Sequence, residues 1–240
     1  MKAMIFAAGK GTRLKPLTDN TPKALIKVNG TPMIELVIKK LISIGVREII
    51  INVHHFANQI INFLNTNNNF GIKIEISDES DKLLDTGGGL KKASWFFDTN
   101  EPFILHNTDI ISDIDLLDMI AFHKNNNALA TLAVRKRESN RYFLFNNNFD
   151  LCGWENIKTT EKIISKKSTL LNQFAFSGIH IINPIIFNYL NQTCKFSIVN
   201  SYLELSKNKT IKGFDHTTDY WFDVGDTKKL EIAEKHIRNN

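Results

Sequence analysis

The chain has 240 residues, 42% hydrophobic, 23% charged and 10% aromatic, which excludes a mini-protein and a low-complexity chain and allows one large domain or two small ones. The formal net charge of +5 is spread along the chain, and the short basic clusters at 135–137 and 166–167 carry no interleaved aromatics, so no nucleic-acid partner is expected. No apolar run reaches the roughly 18 residues that span a bilayer, and the start has neither a long apolar core nor a cleavage site. A cytoplasmic protein without a membrane partner is therefore expected.

Residues 2–8 form a short apolar strand, followed over 9–20 by a turn-rich loop without a helical stripe. Thr31 is placed to cap a helix with Pro32 at its first position. Met33, Ile34, Val37, Ile38 and Leu41 then recur at helical spacing, and Gly45 closes the segment. The β-branched run 48–53 predicts a strand, 56–64 a helix and 72–76 another strand. After a polar loop, Thr86-Gly87-Gly88-Gly89 leads into a helix to about residue 97, then a strand over 103–107 and a helix starting near Ser112 or Asp113. Such alternation predicts a mostly parallel, doubly wound, Rossmann-like α/β sheet with helices on both faces.

From residue 128 strands dominate: 128–134, 142–145 with a hairpin around 146–148, and 174–182. Helices are expected near 184–190 and 197–207. A last strand over 221–224 runs into Asp226, placed to cap a helix over 227–238. No linker, repeat or composition break divides the chain, so a single domain over 1–240 with a mixed sheet is expected. Cys152 and Cys194 lack metal-ligand spacing and read as free thiols. His54 and His55, adjacent on an extended segment, point to opposite faces and read as structural.

The most informative segment is Ala7-Ala8-Gly9-Lys10-Gly11-Thr12-Arg13-Leu14-Lys15-Pro16-Leu17-Thr18, with Pro22-Lys23 close behind. A glycine-rich loop after a first strand lets backbone N–H groups approach an anion. The spacing fails the Walker A pattern, and Leu14 stands where a dinucleotide fingerprint needs its third glycine. Arg13 and Lys23 add two cations to the same loop, a combination that fits a triphosphate. Ser177 lacks a Gly-x-Ser-x-Gly elbow, so no hydrolase nucleophile is expected there.

The run Gly9-Lys10-Gly11-Thr12-Arg13-Leu14, with Pro16-Leu17-Thr18 and Pro22-Lys23, resembles the signature of sugar-phosphate nucleotidylyltransferases. Within that family, Leu84-Asp85-Thr86-Gly87-Gly88-Gly89, Phe176-Ser177-Gly178 and Trp221-Phe222-Asp223-Val224-Gly225 are most similar to the short N-acetylmuramic acid-1-phosphate uridylyltransferases, and the resemblance covers essentially the whole chain. It implies a nucleotide-diphospho-sugar transferase fold. It also implies transfer of a nucleotidyl group from a nucleoside triphosphate, UTP, to a sugar 1-phosphate, N-acetylmuramic acid 1-phosphate, as in peptidoglycan recycling.

The same resemblance assigns roles. Ala8, Gly9, Gly11 and Thr12 would hold base and phosphates, Arg13 the β and γ phosphates, and Lys23 the α phosphate. Asp109 and Asp223 would hold catalytic Mg2+, and Gly88, Gly89, Asn107, Ser177 and Gly178 would line the sugar pocket. The residues themselves agree on the metal, because both aspartates lie at or just past the C-terminal end of a predicted strand, where ligands bind in open α/β sheets. Two departures stand out. Thr108 replaces the glycine of the muramic acid enzymes and would narrow the sugar pocket, and Trp154-Glu155-Asn156 stands where larger members carry Glu-Lys-Pro. A mannose- or heptose-1-phosphate guanylyltransferase, a choline-phosphate cytidylyltransferase and an inactive regulatory subunit that binds nucleotide sugars remain open. With no hexapeptide repeat in the chain, no appended β-helix acyltransferase domain is expected.

Overall fold

The computed structural model describes residues 1–192 and 194–239. Strand β1 (Lys2–Phe6) is followed by the glycine-rich loop and the two-residue strands β2 (Lys27–Val28) and β3 (Thr31–Pro32). Then come α1 (Met33–Ser43), β4 (Glu48–Val53), α2 (Ala57–Thr66), β5 (Lys73–Asp78), α3 (Asp85–Lys92) and β6 (Phe103–Asn107). The second half holds β7 (Ile110–Ser112), α4 (Leu116–Asn125), β8 (Ala130–Arg135), β9 (Arg141–Phe145), β10 (Leu151–Asn156) and β11 (Glu161–Ile164). It ends with β12 (Asn172–Ile182), α5 (Ile198–Leu205), β13 (Ile211–Asp215), β14 (Trp221–Asp223) and α6 (Thr227–Asn239).

Ten strands form one mixed sheet in the order β11-β10-β9-β12-β6-β1-β4-β5, with β8 and β13 branching from β12. The four strands β6, β1, β4 and β5 are parallel, whereas β12 runs antiparallel to β6, β8 and β9. Strand alternation sorts the core into two layers. Ala3 and Ile5 of β1, Ile49 and Ile51 of β4, and Ile104 of β6 join α1, α2 and α4 on one face. Met4, Ile50, Phe103 and Leu105 turn to the other face, where Leu90 of α3 and Tyr202 and Leu203 of α5 cover them. Each of these fully buried aliphatic side chains contributes about 1.5–3 kcal/mol relative to exposure. The expected doubly wound, Rossmann-like arrangement with parallel central strands is present. No helix among the described residues is long and apolar enough to cross a membrane.

Several local expectations are corrected. Thr31 does not cap α1: it pairs with Val28 in a small hairpin whose Asn29-Gly30 turn has φ of 47° and 84°, and the helix starts at Met33 with no side-chain cap. Positive φ at both turn residues is what a tight hairpin requires, and Asn-Gly is the sequence signal for it. The helix expected to start near Ser112 or Asp113 begins instead at Leu116, after the strand over 110–112, because the Asp115 carboxylate accepts from the Leu117 and Asp118 amides at 2.9 and 3.0 Å. Helix α3 stops at Lys92, and Pro184–Tyr189 is a 3₁₀ segment. Strand β10 is the second arm of the hairpin expected around 146–148, whereas β11 and β13 are unforeseen, since β11 is exposed throughout and a glycine interrupts β13. Gly45 (φ 91°) does end α1, and Asp226 does cap α6, its carboxylate accepting from the Lys229 amide at 2.9 Å.

Two predictions follow from this packing. A Cβ on Gly87 would lie 2.3 Å from the Phe196 ring and 3.0 Å from the Phe196 carbonyl, which the Gly87 amide already binds at 2.9 Å. Gly87→Ala should therefore cost about 1–3 kcal/mol, read as a lower denaturation midpoint. Burial also pushes His106 down to about 4 and His180 down to about 3 from 6.5. Below pH 6.5 the unfolded chain binds protons on these rings that the folded chain refuses, so stability is full above that pH and falls as pH drops toward 4. Thermal melts from pH 7 to 4.5 should show the decline, and it should be shallower in His106→Asn.

Candidate active site

The parallel strands β1, β4, β5 and β6 end on one edge of the sheet, and the loops that leave them enclose a cavity of about 410 Å³. Ala8 and Gly9 line it from the glycine-rich loop, Lys23 from the following 3₁₀ turn, Asp85 and Thr86 from α3, and Asn107, Thr108 and Asp109 from the end of β6. Gly9 leaves open space where a side chain would project. Gly11 works differently. At φ 65° a Cβ there would meet Thr18 Cγ2 at 2.9 Å and Lys23 Cβ at 3.0 Å, and the Thr18 hydroxyl donates to the Gly11 carbonyl at 2.9 Å. Gly11 thus closes the loop on itself, with Leu14 fully buried beneath it, while the exposed Thr12 lies outside the cavity lining.

The two aspartates meet through a short ladder. β14 pairs antiparallel with β7, Asp223 opposite Ile110, and the Val224 amide donates to the Asp109 carbonyl at 2.8 Å. Each carboxylate carries a lysine on its Oδ2: Lys23 on Asp109, and Lys229 on Asp223 at 2.9 Å. Arg13 belongs to the same cluster, because a Cβ on Gly225 would touch both Asp223 Oδ1, at 2.9 Å, and Arg13 Nη2, at 3.2 Å. Asp109 lines the first cavity. Arg13, Asp223 and Lys229 line a second one of about 570 Å³, so the carboxylates stand between the two. Two carboxylates with lysine contacts to one oxygen each suit a hard divalent cation that takes its other ligands from phosphate and water. No group of three or more metal-ligating side chains occurs among the described residues.

The lining of the first cavity includes a polar link, Asn52 to Glu79, that sequence reasoning missed. The buried Asn52 accepts the Ala7 amide at 2.8 Å and donates to the buried Glu79 carboxylate at 2.8 Å, and Glu79 in turn accepts the Leu84 amide at 3.0 Å. One chain of bonds therefore ties the loop after β1, the end of β4 and the entry to α3. The available signal was Asn52 as a polar residue inside an otherwise β-branched run.

The residues assigned to a sugar pocket separate. Asn107 and Thr108 line the first cavity, and the buried Thr108 hydroxyl has no hydrogen-bond partner among the described residues. Gly88 and Gly89 are not among the residues lining either cavity, and a Cβ would meet Leu84 Cβ at 2.9 Å from Gly88 and Glu79 Oε1 at 2.6 Å from Gly89, so α3 packs closely at both. Ser177 is buried with its hydroxyl 2.7 Å from His216 Nε2, and its carbonyl accepts the Trp221 indole N–H at 2.9 Å. Gly178, at φ 79°, makes room for Ile110 and Asn107, the nearest atoms to a Cβ there being 2.7 and 2.9 Å away. Ser177 and Gly178 thus support the β14 and β6 ends of the site from behind.

The chain is similar in sequence and in fold to known proteins. The chain is 29% identical over 231 residues to a mannose-1-phosphate guanyltransferase of Yarrowia lipolytica, covering 95% of this chain and 61% of that one. It is 27% identical over 242 residues to a UTP–glucose-1-phosphate uridylyltransferase of Synechocystis, covering 94% and 60%. The chain thus spans about three fifths of the length of these curated relatives. In fold it is similar to the crystal structure of a Bacillus anthracis protein assigned as a glucose-1-phosphate thymidylyltransferase, in complex with sucrose. That match has a TM-score of 0.82 at 22% identity, covering 100% of this chain and 96% of the other. With residues 2–240 matching the family model described as nucleotidyl transferase, the chain belongs to that family.

Proposed function

We propose that this chain transfers a nucleotidyl group from a nucleoside triphosphate to a sugar 1-phosphate, and that the pair is UTP and N-acetylmuramic acid 1-phosphate. The observation that carries the reading is the meeting of Lys23, Asp109, Asp223 and Arg13 between two cavities, with the Ala8 and Gly9 backbone at the edge of the first. The first cavity suits the nucleoside, and the second, lined by Arg13, suits the acceptor together with the departing pyrophosphate. Family membership and the names of the relatives support the class. The choice of N-acetylmuramic acid rests on the motifs at 84–89, 176–178 and 221–225.

An oxygen of the sugar phosphate attacks the α phosphorus in line. The new O–P bond forms as the bond to the β phosphate breaks, and pyrophosphate carries away the electron pair. A sugar 1-phosphate is already a dianion near neutral pH, so no general base is needed, and the barriers are repulsion between anions and alignment. Lys23 counters charge on the α phosphate, Arg13 counters charge on the departing pyrophosphate, and the loop amides hold the phosphates in register. Magnesium held by Asp109 and Asp223 would supply further positive charge there. Asp85, Thr86 and Lys195 line the first cavity and would be available to a base bound there. A second reading, guanylyl transfer to mannose 1-phosphate, has the Yarrowia relative in its favour.

Asp109→Asn and Asp223→Asn should leave the fold intact by circular dichroism yet slow magnesium-dependent pyrophosphate release about 10²-fold or more. Near-wild-type rates in either would remove the two-carboxylate assignment. Arg13→Ala should chiefly weaken nucleotide binding in calorimetry, because pyrophosphate charge exists already in the ground state, whereas Lys23→Ala should chiefly lower kcat. Turnover measured with each of the four nucleoside triphosphates should be fastest with UTP, and a preference for GTP would favour the mannose reading.

A further inference from the structure

The β7–β14 ladder that carries the two aspartates is three pairs long, and a two-stranded pairing of that length does not hold itself together in water. Its near end, beside the aspartates, is closed by the bond from the Val224 amide to the Asp109 carbonyl at 2.8 Å. Beyond its far end, where Trp221 pairs with Ser112, the backbone continues with a long contact from the Asp113 amide to the Tyr220 carbonyl at 3.4 Å. A side chain from another element strengthens that end. Lys40, in the last turn of α1, donates from Nζ to the Ser112 carbonyl at 2.6 Å and lies 3.4 Å from the Ser112 hydroxyl.

Lys40 differs from its neighbour Lys39, which stands exposed and pairs with Glu35 one turn back at 2.6 Å. An ammonium is strongly hydrated, so drawing Lys40 partly out of water costs free energy that its surroundings must return. Burial lowers it to about 8 from 10.5, and the charges of Asp113, Asp219 and Asp115 act against that. The Asp115 carboxylate is engaged in capping α4. Asp113 directly follows β7 and Asp219 stands two residues before β14, so each arm of the ladder brings one carboxylate to the same end. These two repel. Burial first and Asp113 second raise Asp219 above the ordinary carboxylate range, whereas Lys40 and, less strongly, Arg135 lower it. His216, with Nδ1 3.7 Å from Asp219 Oδ2, is pushed by burial down to about 4 and adds no positive charge near neutral pH. No carboxylate forms an ion pair with Lys40 among the described residues, so its charge is shared between the two arms.

We propose that Lys40 is a positioning residue for nucleotidyl transfer: its bond to Ser112 and its charge between Asp113 and Asp219 clamp the far end of the ladder, and so hold Asp223 in place beside Asp109. The role rests on the reading of those two aspartates as the magnesium-holding pair. Lys40 itself lines neither cavity and touches no reacting atom.

The test uses the full chain and two readouts: amide hydrogen exchange by mass spectrometry, which reports opening of the ladder without turnover, and the magnesium dependence of pyrophosphate release with whichever nucleotide and sugar 1-phosphate turn over fastest. Lys40→Met should speed exchange over 221–224 at least tenfold while leaving β1 and β4 as in wild type. It should raise the half-saturating magnesium concentration at least fivefold and change the KM for the nucleotide at saturating magnesium less than twofold. Lys40→Arg, which keeps the charge and the donor, should stay near wild type. Asp219→Asn added to Lys40→Met removes the repulsion and should lower the magnesium requirement again at least threefold. Wild-type exchange over 221–224 in Lys40→Met overturns the clamp, and faster exchange throughout the chain reduces Lys40 to general stability and overturns it too. A double variant as impaired as Lys40→Met overturns the part assigned to charge. Faster exchange with an unchanged magnesium requirement overturns the positioning role alone if Asp223→Asn is impaired. If Asp223→Asn is not impaired, the two-carboxylate reading falls and the role with it. Absence of turnover by wild-type protein with every pair overturns the transfer reading itself.

Discussion

The hydrogen bond from the Val224 amide to the Asp109 carbonyl, together with the three-pair ladder between β14 and β7, is the constraint on which the site depends. It brings a turn that follows the central parallel strand β6 against a segment near the end of the chain, so that two carboxylates remote in sequence share one ledge. The ladder is short and would be weak alone. It is held from one side by the Trp221 indole, which donates to the Ser177 carbonyl, and from the other by Val224, buried against Leu230 and Ala233 of α6. The terminal helix thereby belongs to the architecture of the site without supplying a ligand to the first cavity.

Charge on this ledge is balanced in pairs. Lys23 sits on Asp109 and Lys229 on Asp223, so each carboxylate has a neutralising partner at a partly buried position where an unpaired charge would be costly. A polyphosphate changes that balance by offering the lysines a second anion, while the carboxylates become available to a cation. In the second cavity Asp223 compensates Lys229, while Arg137, Arg141 and Lys158 have no carboxylate within ion-pair distance among the described residues.

Support for the first cavity comes from buried polar groups. Asn52 and Glu79 satisfy one another and two backbone amides. Losing either partner would strand a buried donor or acceptor at a cost of about 1–3 kcal/mol. Gly89 is required at the same spot, since a methyl group would press on the Glu79 carboxylate. The glycine run that reads in sequence as an approach for a sugar also packs α3 closely on Glu79, Leu84 and Phe196.

What the sequence determined by itself is the local periodic order and the chemistry of the loop. Alternation of β-branched runs with helical stripes specified the doubly wound half, because each such element buries one face and its period reports which. The pairing of glycines with Arg13 and Lys23 within a few residues announced an anion site for the same reason: the interaction is local. Strand β11, exposed on every residue, and the β2–β3 hairpin carried no periodic signal strong enough to be read. Only the tertiary structure decided that Asp109 and Asp223 are neighbours, that a side chain at Gly88 or Gly89 would meet Leu84 or Glu79, and that Arg137, Arg141 and Lys158 line one cavity. Each of these is a contact between segments far apart along the chain, set by strand order and by which side chains are left over once the core is filled.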